Sequence, residues 1–386
     1  MGIGPQIAYD PGVQTTLLDG LRDPRGLALD GRGNLYIAEF GANRIVKATP
    51  AGETSIYAKL TEPGSLALDG LGNLFATWNE GGSQQLSEIA AGGAMHHLLA
   101  EGSPVGLTID GSGDVFEADA ANDLVVRIVG SSPPYSIGAS FTPGAIVIDR
   151  AGNIYVVDRD EWLIWKVTPA GAWRTIGEGF NRPEGIAVDQ AGNLYVADFG
   201  NNRVVKVSPS GIQTTVGTGL VLPTAVTLDA AGNVYISDFG NGRVVKVTRS
   251  AQPPLVFATT TVGKTSSDSP QAVDVENIGT AGLAFPVPHS GKNPSLSTNF
   301  VLSNLTTCPA LGPASNARTL AAGAECSYEI LFRPKVTGAI DGALVMNDND
   351  LNAVKRRQTI PLRGKGKAVT SNFSGPPPAP VPVTTN

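Results

Sequence analysis

Histidine and cysteine are scarce in this chain of 386 residues, which holds three histidines and two cysteines. Three histidines leave little material for a multi-histidine metal site or a Ser-His-Asp triad. No apolar run approaches the roughly 20 residues that a membrane helix requires, so direct membrane insertion is not expected. The opening residues, MGIGPQIAYDPG, lack the basic and apolar regions of a signal peptide.

Charge is also sparse, since Asp, Glu, Lys and Arg make up 16% of the chain and the formal net charge is −6. Residues 1–249 contain 17 basic against 26 acidic side chains, a net charge of −9, and the remainder carries 11 against 8, a net charge of +3. Such a balance repels phosphate groups, so no nucleic acid partner is expected. The one basic cluster, at residues 355–357, has a simpler interpretation as a solvated strand end or turn.

Glycine and proline are abundant, with 47 and 28 residues, and they favour many short strands over long helices. A repeat of about 40 residues runs through the first two thirds of the chain. Its copies are aligned by a proline, and successive prolines are 39, 41, 39, 40 and 40 residues apart. They are Pro24, Pro63, Pro104, Pro143, Pro183 and Pro223. Each copy holds three short β-branched or aromatic runs, and a fourth, such as Ile212 to Val216, follows the last turn. Four strands in about 40 residues predict an all-β fold with a six-bladed β-propeller.

The two ends of the repeat region complement each other. The sixth copy has no fourth strand after Val247, because prolines at 253 and 254 interrupt the chain. The segment Gly12–Leu17 resembles Gly211–Val216, and each begins 12 residues before a repeat proline. We therefore expect the N-terminal strand to complete the last blade and close the ring.

The motif is clearest in residues 183–206, where Pro-x-Gly-apolar-Ala-apolar-Asp is followed by Gly-Asn-apolar-Tyr-apolar-Ala-Asp and by Asn-x-Arg-apolar-x-Lys. This pattern resembles the NHL repeat. Copies one, five and six match it best, whereas copies two, three and four depart from it at the end of the second strand. Similar six-bladed rings occur in bacterial surface sensors, RNA-binding regulators and some lyases, so the resemblance implies a fold but not one function.

A different pattern begins near Pro254, with short strands that alternate apolar and polar residues. Segments 275–279, 320–326, 332–334 and 360–364 resemble the immunoglobulin-like choice-of-anchor D family. The expected organisation is a six-bladed NHL-type propeller at residues 1–250, an immunoglobulin-like β-sandwich at residues 251–367 and a flexible Pro-rich tail at residues 368–386.

The second resemblance implies an exported bacterial protein at the cell surface or outside the cell, with a signal peptide missing if Met1 is not the native start. Export favours a disulfide between Cys308 and Cys326, which would add about 3 kcal/mol by the chain-entropy estimate. Two buried free thiols are the alternative.

Several repeated side chains have structural interpretations. An aspartate ends each first strand, and a short carboxylate there can accept hydrogen bonds from turn amides. These are Asp30, Asp69, Asp110, Asp149, Asp189 and Asp229. The pairs Asp198 with Arg203, Asp238 with Arg243 and Glu39 with Arg44 are expected ion pairs within each blade.

The side chains that repeat least indicate a binding face, because the loops before the first strand and between the second and third strands open on one side of a propeller. Aromatic residues beside arginines are enriched in interaction hot spots. The candidate residues are Arg25, Phe40, Trp78, Trp162, Arg182, Phe199 and Phe239. For each of them, packing between blades is the alternative.

A ring of this kind can also hold a metal ion in its channel. Its ligands are poorly supplied, since His96 and His97 fall near an outer strand and His289 lies in the second domain. No metal ligands or other cofactors are therefore expected, although calcium would need only oxygen ligands such as Glu117, Asp119, Asp158 and Asp160.

These observations predict a monomeric, non-enzymatic recognition protein whose propeller face binds a protein or a cell-envelope glycan. The alternative is a metal-dependent lyase or lactonase with its site in the propeller channel.

Overall fold

The structure is a computed structural model that describes residues 4–98, 102–128, 135–138, 141–350 and 356–369. The predicted tail lies outside the described residues from residue 370 onward. Strands dominate the described part of the chain, where the helices are short 3₁₀ turns at Phe40–Ala42, Phe199–Asn201 and Phe239–Asn241. None of the helices in these ranges is long and apolar enough to cross a membrane.

The chain begins with β1 (Ile7–Asp10) and β2 (Val13–Leu18), which belong to different sheets. Six four-stranded antiparallel sheets then follow in the described ranges. Sheet 1 contains β3 (Pro24–Leu29), β4 (Leu35–Glu39), β5 (Arg44–Ala48) and β6 (Thr54–Ala58). Sheet 2 contains β7 (Leu66–Leu68), β8 (Leu74–Glu80), β9 (Ser83–Ile89) and β10 (Met95–Leu98). Sheet 3 contains β11 (Pro104–Ile109), β12 (Val115–Asp119), β13 (Leu124–Ile128) and β14 (Tyr135–Gly138).

Sheets 4 to 6 repeat this arrangement. Sheet 4 contains β15 (Pro143–Ile148), β16 (Ile154–Asp158), β17 (Leu163–Val167) and β18 (Trp173–Thr175). Sheet 5 contains β19 (Pro183–Val188), β20 (Leu194–Asp198), β21 (Arg203–Val207) and β22 (Gln213–Val216). Sheet 6 contains β23 (Pro223–Leu228), β24 (Val234–Asp238), β25 (Arg243–Thr248) and the N-terminal strand β2.

The six sheets close into a ring. The first strand of each sheet contacts the first strand of the next, and β23 of sheet 6 contacts β3 of sheet 1. Strand β2 pairs with β25, with Val13 opposite Thr248 and Gln14 opposite Val247. The predicted completion of the last sheet by the N-terminal strand is thus confirmed.

Apolar side chains fill the space between neighbouring sheets. Tyr155 and Val157 of β16 pack with Ile186 and Val196 of sheet 5 in one buried cluster. The second strand of sheet 5 is buried along its whole length, as expected for a strand covered on both faces. The core of the ring therefore lies between the sheets.

The turn between first and second strands is built in the same way around the ring. In sheet 5, Oδ1 of Asp189 accepts hydrogen bonds from the amides of Ala191 and Asn193, at 3.0 and 2.9 Å. Its Oδ2 accepts one from Nδ2 of Asn193 at 2.7 Å. Gly192 has φ of +87°, which L side chains rarely adopt. These aspartates are turn-building residues, as the repeat predicted.

The described residues between 255 and 367 form a second unit, the C-terminal unit, with two main sheets. Sheet 7 contains β28 (Gln271–Asn277), β33 (Glu325–Phe332), β31 (Phe300–Leu302) and the N-terminal β1. Sheet 8 contains β26 (Leu255–Val256), β27 (Thr260–Thr261), β35 (Arg357–Lys367), β34 (Gly338–Asn347) and β30 (Ser295–Leu296). A small pair joins β29 (Leu283–Phe285) to β32 (Arg318–Leu320).

Both sheets of the C-terminal unit face one apolar core. Phe257, Phe300 and Phe332 have ring centroids 5.2 to 5.7 Å apart at its centre. Cys308 and Cys326 are joined by a disulfide beside this core. This disulfide links the segment after β31 to the start of β33.

Strand β1 links the ring to the C-terminal unit. It pairs with β28, with Ile7 opposite Asn277 and Asp10 opposite Asp274. Its apolar side chains enter the core of the C-terminal unit, although the repeat pattern placed residues 1–250 together. The N-terminal segment therefore contributes one strand to each part of the molecule.

Candidate functional site

The ring encloses a channel, and one end of it opens into a cavity of about 370 Å³ that we call the channel mouth. All six sheets line the mouth through residues at the start of their first strands. The lining charges are three arginines and one glutamate, which gives a formal charge of +2. They are Arg25, Arg159, Arg182 and Glu184. A concave site with an excess of fixed positive charge attracts anions.

Two of the arginines lie over phenylalanine rings. The guanidinium of Arg25 is 3.8 Å from the centroid of Phe40, and that of Arg182 is 4.9 Å from the centroid of Phe199. Stacking on a ring holds the planar guanidinium in place while leaving its N–H groups available for a ligand. The two side chains are therefore oriented before a ligand arrives.

Arg182 occupies a constrained backbone position. Its φ of +50° lies in the left-handed region, which costs free energy for a residue other than glycine. The preceding amide, that of Asn181, donates a 2.7 Å hydrogen bond to the buried carboxylate of Asp198. Asp198 also accepts from Nε of Arg203 at 2.7 Å. The predicted ion pair thus holds the loop that carries Arg182.

The same arrangement, in which a carboxylate accepts from a loop amide and pairs with an arginine, recurs in two other sheets. Glu39 accepts from the amide of Arg22 in sheet 1 and pairs with Arg44. Asp238 accepts from the amide of Val221 in sheet 6 and pairs with Arg243. The predicted ion pairs are present, and each fixes the loop before a first strand.

Arg159 reaches the mouth from the end of β16. Its amide donates to the carbonyl of Thr142 at 3.0 Å. A Cβ placed on Gly144 would lie 3.0 Å from Cγ of Arg159, so glycine leaves room for this side chain to cross the first strand. Arg159 was not among the predicted site residues.

Glu184 is the one carboxylate among the described residues that line the mouth. Its Oε1 lies 3.7 Å from Nη2 of Arg182, and its side chain is 32% exposed. It follows the repeat proline, as Arg25 does in sheet 1. The site therefore combines an anion-binding set of arginines with one acid–base group.

Close packing of the first strands keeps the channel narrow. A Cβ on Gly26 would lie 2.1 Å from the carbonyl oxygen of Gly64, and one on Gly185 would lie 2.6 Å from that of Thr224. Small residues at this position are thus needed for the strands to approach the axis.

Four of the predicted binding residues line the mouth. A fifth, Phe40, stacks with the guanidinium of Arg25, which is one of the four. The four are Arg25, Arg182, Phe199 and Phe239. The rings of Phe199 and Phe239 have centroids 6.4 Å apart. Trp162 is 44% exposed between β16 and β17 but does not line this cavity.

Trp78 departs from the prediction. It is 7% exposed, packs in the core between sheets 1 and 2, and donates from Nε1 to the hydroxyl of Ser87 at 2.9 Å. Its second-strand position points it into the interior, so it is a packing residue. His97, whose Nδ1 lies 3.3 Å from that hydroxyl, sits on the outer strand β10.

The carboxylates suggested as calcium ligands are engaged elsewhere. Asp119 accepts from the amides of Ser103 and Ala121, and Asp158 accepts from the amide of Asp160 and from Nε1 of Trp165. Among the described residues these groups do not form a convergent set of three metal ligands.

Glu117 stands apart from them. Burial, together with the neighbouring charge of Asp119, raises the pKa of Glu117 to about 7.

One group of three carboxylates in the described ranges has the spacing of a metal site. Its members are Asp10, Glu276 and Glu325, at the junction of the ring and the C-terminal unit. Nζ of Lys206 lies among them, at 2.8, 2.9 and 2.7 Å respectively. The position of a cation is thus filled by an ammonium group, and the residues do not fit a metal ion.

Comparison with known proteins identifies the repeat. The family model described as NHL repeat matches residues 180–207. No curated protein sequence matches the chain. The match covers the loop of Arg182, strands β19 to β21 and Asp198, which are the elements that build one side of the mouth.

Solved structures share the fold at low sequence identity. A gluconolactonase from Xanthomonas campestris is 15% identical, with a TM-score of 0.56 over 64% of this chain and 95% of its own. A protein of unknown function from Bacteroides thetaiotaomicron is 16% identical, with a TM-score of 0.52 over 63% and 76%. Virginiamycin B lyase from Staphylococcus aureus is 13% identical, with a TM-score of 0.48 over 84% and 99%.

The likeness to the gluconolactonase corrects one prediction. The sequence was interpreted as that of a protein without enzymatic activity, whereas a named enzyme, the gluconolactonase, has the same type of ring. A ring of this kind is therefore compatible with catalysis. The prediction that the protein has no enzymatic activity is wrong in excluding it. The chain contains an NHL repeat and is an all-β protein with a β-propeller fold.

Proposed function

We propose that the channel mouth binds a carboxylate-bearing small molecule and catalyses an elimination reaction on it, as a lyase. The observation that carries this proposal is the convergence of Arg25, Arg159 and Arg182 on one cavity that holds a single carboxylate, Glu184. Guanidinium groups bind carboxylates through paired N–H donors.

The arginines suit the transition state of such a reaction. Removal of a proton from the carbon beside a carboxylate places a second negative charge on that group. Three guanidinium groups in a narrow cavity stabilise this charge more than they stabilise the substrate, which is the requirement for catalysis. Arg25 and Arg182 are held by their phenylalanine partners, so little reorganisation is needed.

Glu184 is placed to act as the base. It would take the proton from the α-carbon, and the electron pair of that C–H bond would move onto the carboxylate. This pair would then form the double bond between the α- and β-carbons as the bond from the β-carbon to its oxygen substituent breaks. The oxygen leaves with the electron pair of the broken bond and takes a proton from water. This step uses the residues at the mouth and no metal ion, whose ligands they do not supply.

The experiment uses the full chain and a 4-linked uronate trisaccharide, which has the carboxylate, the α-hydrogen and the leaving oxygen. The expected result is the ultraviolet absorbance of a new double bond conjugated to the carboxylate. Glu184→Gln should abolish turnover and keep binding, because it retains shape and removes the base. Binding without turnover in the unmodified protein would contradict the catalytic part, and absence of both would overturn the proposal.

The domain organisation is a second part of the proposal. We propose that the ring is a six-bladed NHL-type propeller over residues 1–250, and that residues 251–367 are an immunoglobulin-like unit of choice-of-anchor D type followed by a Pro-rich tail. Six sheets in a closed ring and two sheets around one core support these assignments.

The location of the protein is a further part of the proposal. The disulfide between Cys308 and Cys326 supports a place outside the cell, where such bonds persist. A glycan of the cell envelope that carries uronate groups is the partner that suits the charge of the mouth. We propose that the protein acts there as a monomer.

A further inference from the structure

A second cavity, of about 400 Å³, lies between sheets 4 and 5; we call it the side cavity. The turns that follow the first strands of both sheets line it, so it lies on the side of the ring opposite to the mouth. Lys166 of β17 also lines it, with its side chain 16% exposed. Ligand pockets commonly have volumes of about 300 to 1,000 Å³. The side cavity therefore offers a partly exposed amine to a small organic molecule.

The amine of Lys166 belongs to a short chain of hydrogen bonds. Its Nζ donates to the hydroxyl of Tyr155 at 2.8 Å, and that hydroxyl donates to Oδ2 of Asp149 at 3.1 Å. Nζ itself lies 3.9 Å from this Oδ2, beyond hydrogen-bond distance. Tyr155 is 2% exposed, so packing fixes the hydroxyl that holds the amine. A hydroxyl between an amine and a carboxylate can pass protons between them.

The surroundings of Lys166 favour its neutral form. Arg174 of β18 stands directly opposite Lys166 in the register of the sheet. Burial lowers the pKa of Lys166, the charge of Asp149 offsets part of this effect, and the charge of Arg174 lowers the pKa further. The resulting pKa lies below the ordinary value of a lysine. A partly desolvated lysine beside another cation is the type that acts as a nucleophile, because more of it carries a free electron pair.

Comparison with other sheets shows what is particular to Lys166, which occupies the lysine position of the repeat. Lys206 of sheet 5 has three carboxylates within 2.9 Å of its Nζ, which hold it in the charged form. Lys246 of sheet 6 has Thr15 opposite it on the fourth strand, where sheet 4 has Arg174. Sheet 4 thus combines this lysine with a guanidinium group at the same cavity.

The charged lining residues determine which ligand suits the side cavity. They are Arg150, Lys166 and Arg174 against Asp149 and Asp189, which gives a formal charge of +1. Both carboxylates already accept hydrogen bonds from the amides of their own turns, whereas both arginines are exposed. Guanidinium groups bind carboxylates through paired N–H donors. An anionic ligand is therefore favoured over a cationic one.

The register places a carboxylate binder beside the nucleophile. Residues directly opposite each other on antiparallel strands have Cβ atoms about 4.5 to 5.5 Å apart, so Arg174 can hold a carboxylate next to the carbon that Lys166 attacks. A 2-oxo acid carries its carbonyl and its carboxylate on adjacent carbons. We propose that the side cavity is a second site, in which the amine of Lys166 forms an imine with a small 2-oxo acid whose carboxylate is bound by Arg174.

The step joins one amine to one carbonyl group and releases one water molecule. The electron pair of Nζ forms a bond to the carbonyl carbon, and the π pair of the C=O bond moves onto oxygen. The nitrogen gives up protons, for which Tyr155 and Asp149 form the relay, and the oxygen takes up two protons and leaves as water. A C=N bond remains, and the step needs no oxidant or reductant.

The test treats the full chain with pyruvate and sodium cyanoborohydride, which reduces an imine to a stable secondary amine. Peptide mass mapping then locates the carboxyethyl groups that have been added. Lys166 should be labelled about tenfold faster than Lys246, because it is less protonated and has a carboxylate binder beside it. Acetone has a similar carbonyl group and no carboxylate, so the ratio of labelling at Lys166 to labelling at Lys246 should fall with acetone.

Variants separate this site from the rest of the surface. Arg174→Gln should reduce the ratio obtained with pyruvate to that obtained with acetone, and Arg32→Gln, in an exposed turn of sheet 1, is the matched control that should leave it unchanged. The double variant Arg25→Ala, Arg182→Ala should also leave it unchanged, since the mouth is a different cavity.

Thermal unfolding checks that each variant is folded, and Arg174 is exposed on an outer strand, so its replacement is not expected to disturb the core. The proposal is overturned if Lys166 and Lys246 are labelled at equal rates in the unmodified protein. It is also overturned if Arg174→Gln and Arg32→Gln give the same ratio with pyruvate, or if pyruvate binds and slows labelling of Lys166, which would indicate a site for anions without a reactive amine.

Discussion

Nζ of Lys206 in the ring lies 2.9 Å from Oε2 of Glu276 in the C-terminal unit, and each side chain is 1% exposed. Arg249, which is fully buried, contacts the same carboxylate and also Asp10. Burial acts to lower the pKa of Lys206, but the charges of Asp10 and Glu276 more than offset it and leave that pKa above its usual value. The two parts of the molecule are therefore joined by a buried network of opposite charges.

Glu276→Ala should destabilise the protein strongly. The substitution leaves Lys206 and Arg249 buried beside fewer negative charges, and breaking a buried pair in this way costs about 3 to 5 kcal/mol. Urea-induced unfolding of the full chain measures the change in the free energy of unfolding. The matched control is Asp341→Ala, which removes an exposed pair with Arg363, where both side chains are more than half exposed. The control should change stability by less than about 1 kcal/mol. Equal losses in both variants would show that the buried ion pairs contribute no more to the free energy of unfolding than the exposed pair does.

The stability of the Glu117→Gln variant relative to the unmodified protein should increase as the pH rises. Burial raises the pKa of Glu117 from its ordinary value of 4.5 to about 7 in the folded state. Between these two values the unfolded chain releases the proton and the folded chain keeps it, so stability falls as pH rises. The glutamine variant lacks this loss, and its advantage should grow by about 2 to 3 kcal/mol from pH 4 to pH 8. Urea unfolding at several pH values measures it, and Glu53→Gln, at an exposed site, is the control.

The repeat predicted most of the ring because its prolines mark the first strands. Strands β3, β11, β15, β19 and β23 begin at the repeat prolines, and β7 begins three residues after Pro63. The closure by β2 was also readable, since Gly12–Leu17 repeats a fourth-strand sequence. Local patterning decides these features, because the second strand of each sheet is buried between neighbouring sheets that carry the same pattern.

The mouth was predicted in part. Arg159 stands directly after the second strand, where sheets 1, 5 and 6 have Phe40, Phe199 and Phe239. Glu184 stands directly after the repeat proline, where sheet 1 has Arg25. Aligning the copies column by column would have found both charges. Trp78 was misplaced because it stands where Asp198 ends the second strand of sheet 5, whereas β8 continues to Glu80 and keeps Trp78 within the strand.

The buried network at Lys206 had no sequence signal. Its partners Asp10 and Glu325 are 196 and 119 residues away in the chain. Lys206 occupies the lysine position of the repeat, which Lys47 and Lys246 also occupy. Only the docking of the C-terminal unit distinguishes it from them.

Removal of residues 1–20 should lower the melting temperature and expose strand edges. The deletion removes β1 from sheet 7 and β2 from sheet 6, so both parts of the molecule lose a paired strand. Unpaired edges promote association between chains. Thermal unfolding and light scattering measure the two effects. A synthetic peptide of residues 1–20, added in trans, should restore the melting temperature in part. An unchanged melting temperature would contradict the role of β2 in closure.

Asp198→Asn should weaken ligand binding at the mouth although Asp198 does not line it. The carboxylate accepts from the amide of Asn181, next to Arg182, and asparagine weakens this charge-assisted bond. Asp238→Asn is the matched control, because its carboxylate holds Val221, whose loop carries no arginine into the mouth. Both variants should lose about 1 to 3 kcal/mol of stability. Affinity for the uronate trisaccharide, measured by calorimetry, should fall in Asp198→Asn alone. An equal fall in both would mean that general destabilisation is the cause.

Arg182→Ala should reduce the affinity for the uronate trisaccharide about tenfold. The side chain is 57% exposed, so its contact with a carboxylate is partly screened by solvent and smaller than that of a buried pair. The remaining charge of the mouth falls from +2 to +1, and the dependence of affinity on salt concentration should weaken with it. Arg32→Ala is the control, because Arg32 lies exposed in the turn after Asp30, outside the residues that line the mouth. Calorimetric titration at two salt concentrations separates the electrostatic effect from a general loss of fit. If Arg182→Ala and Arg32→Ala bind equally well at both concentrations, the arginines of the mouth do not hold the carboxylate.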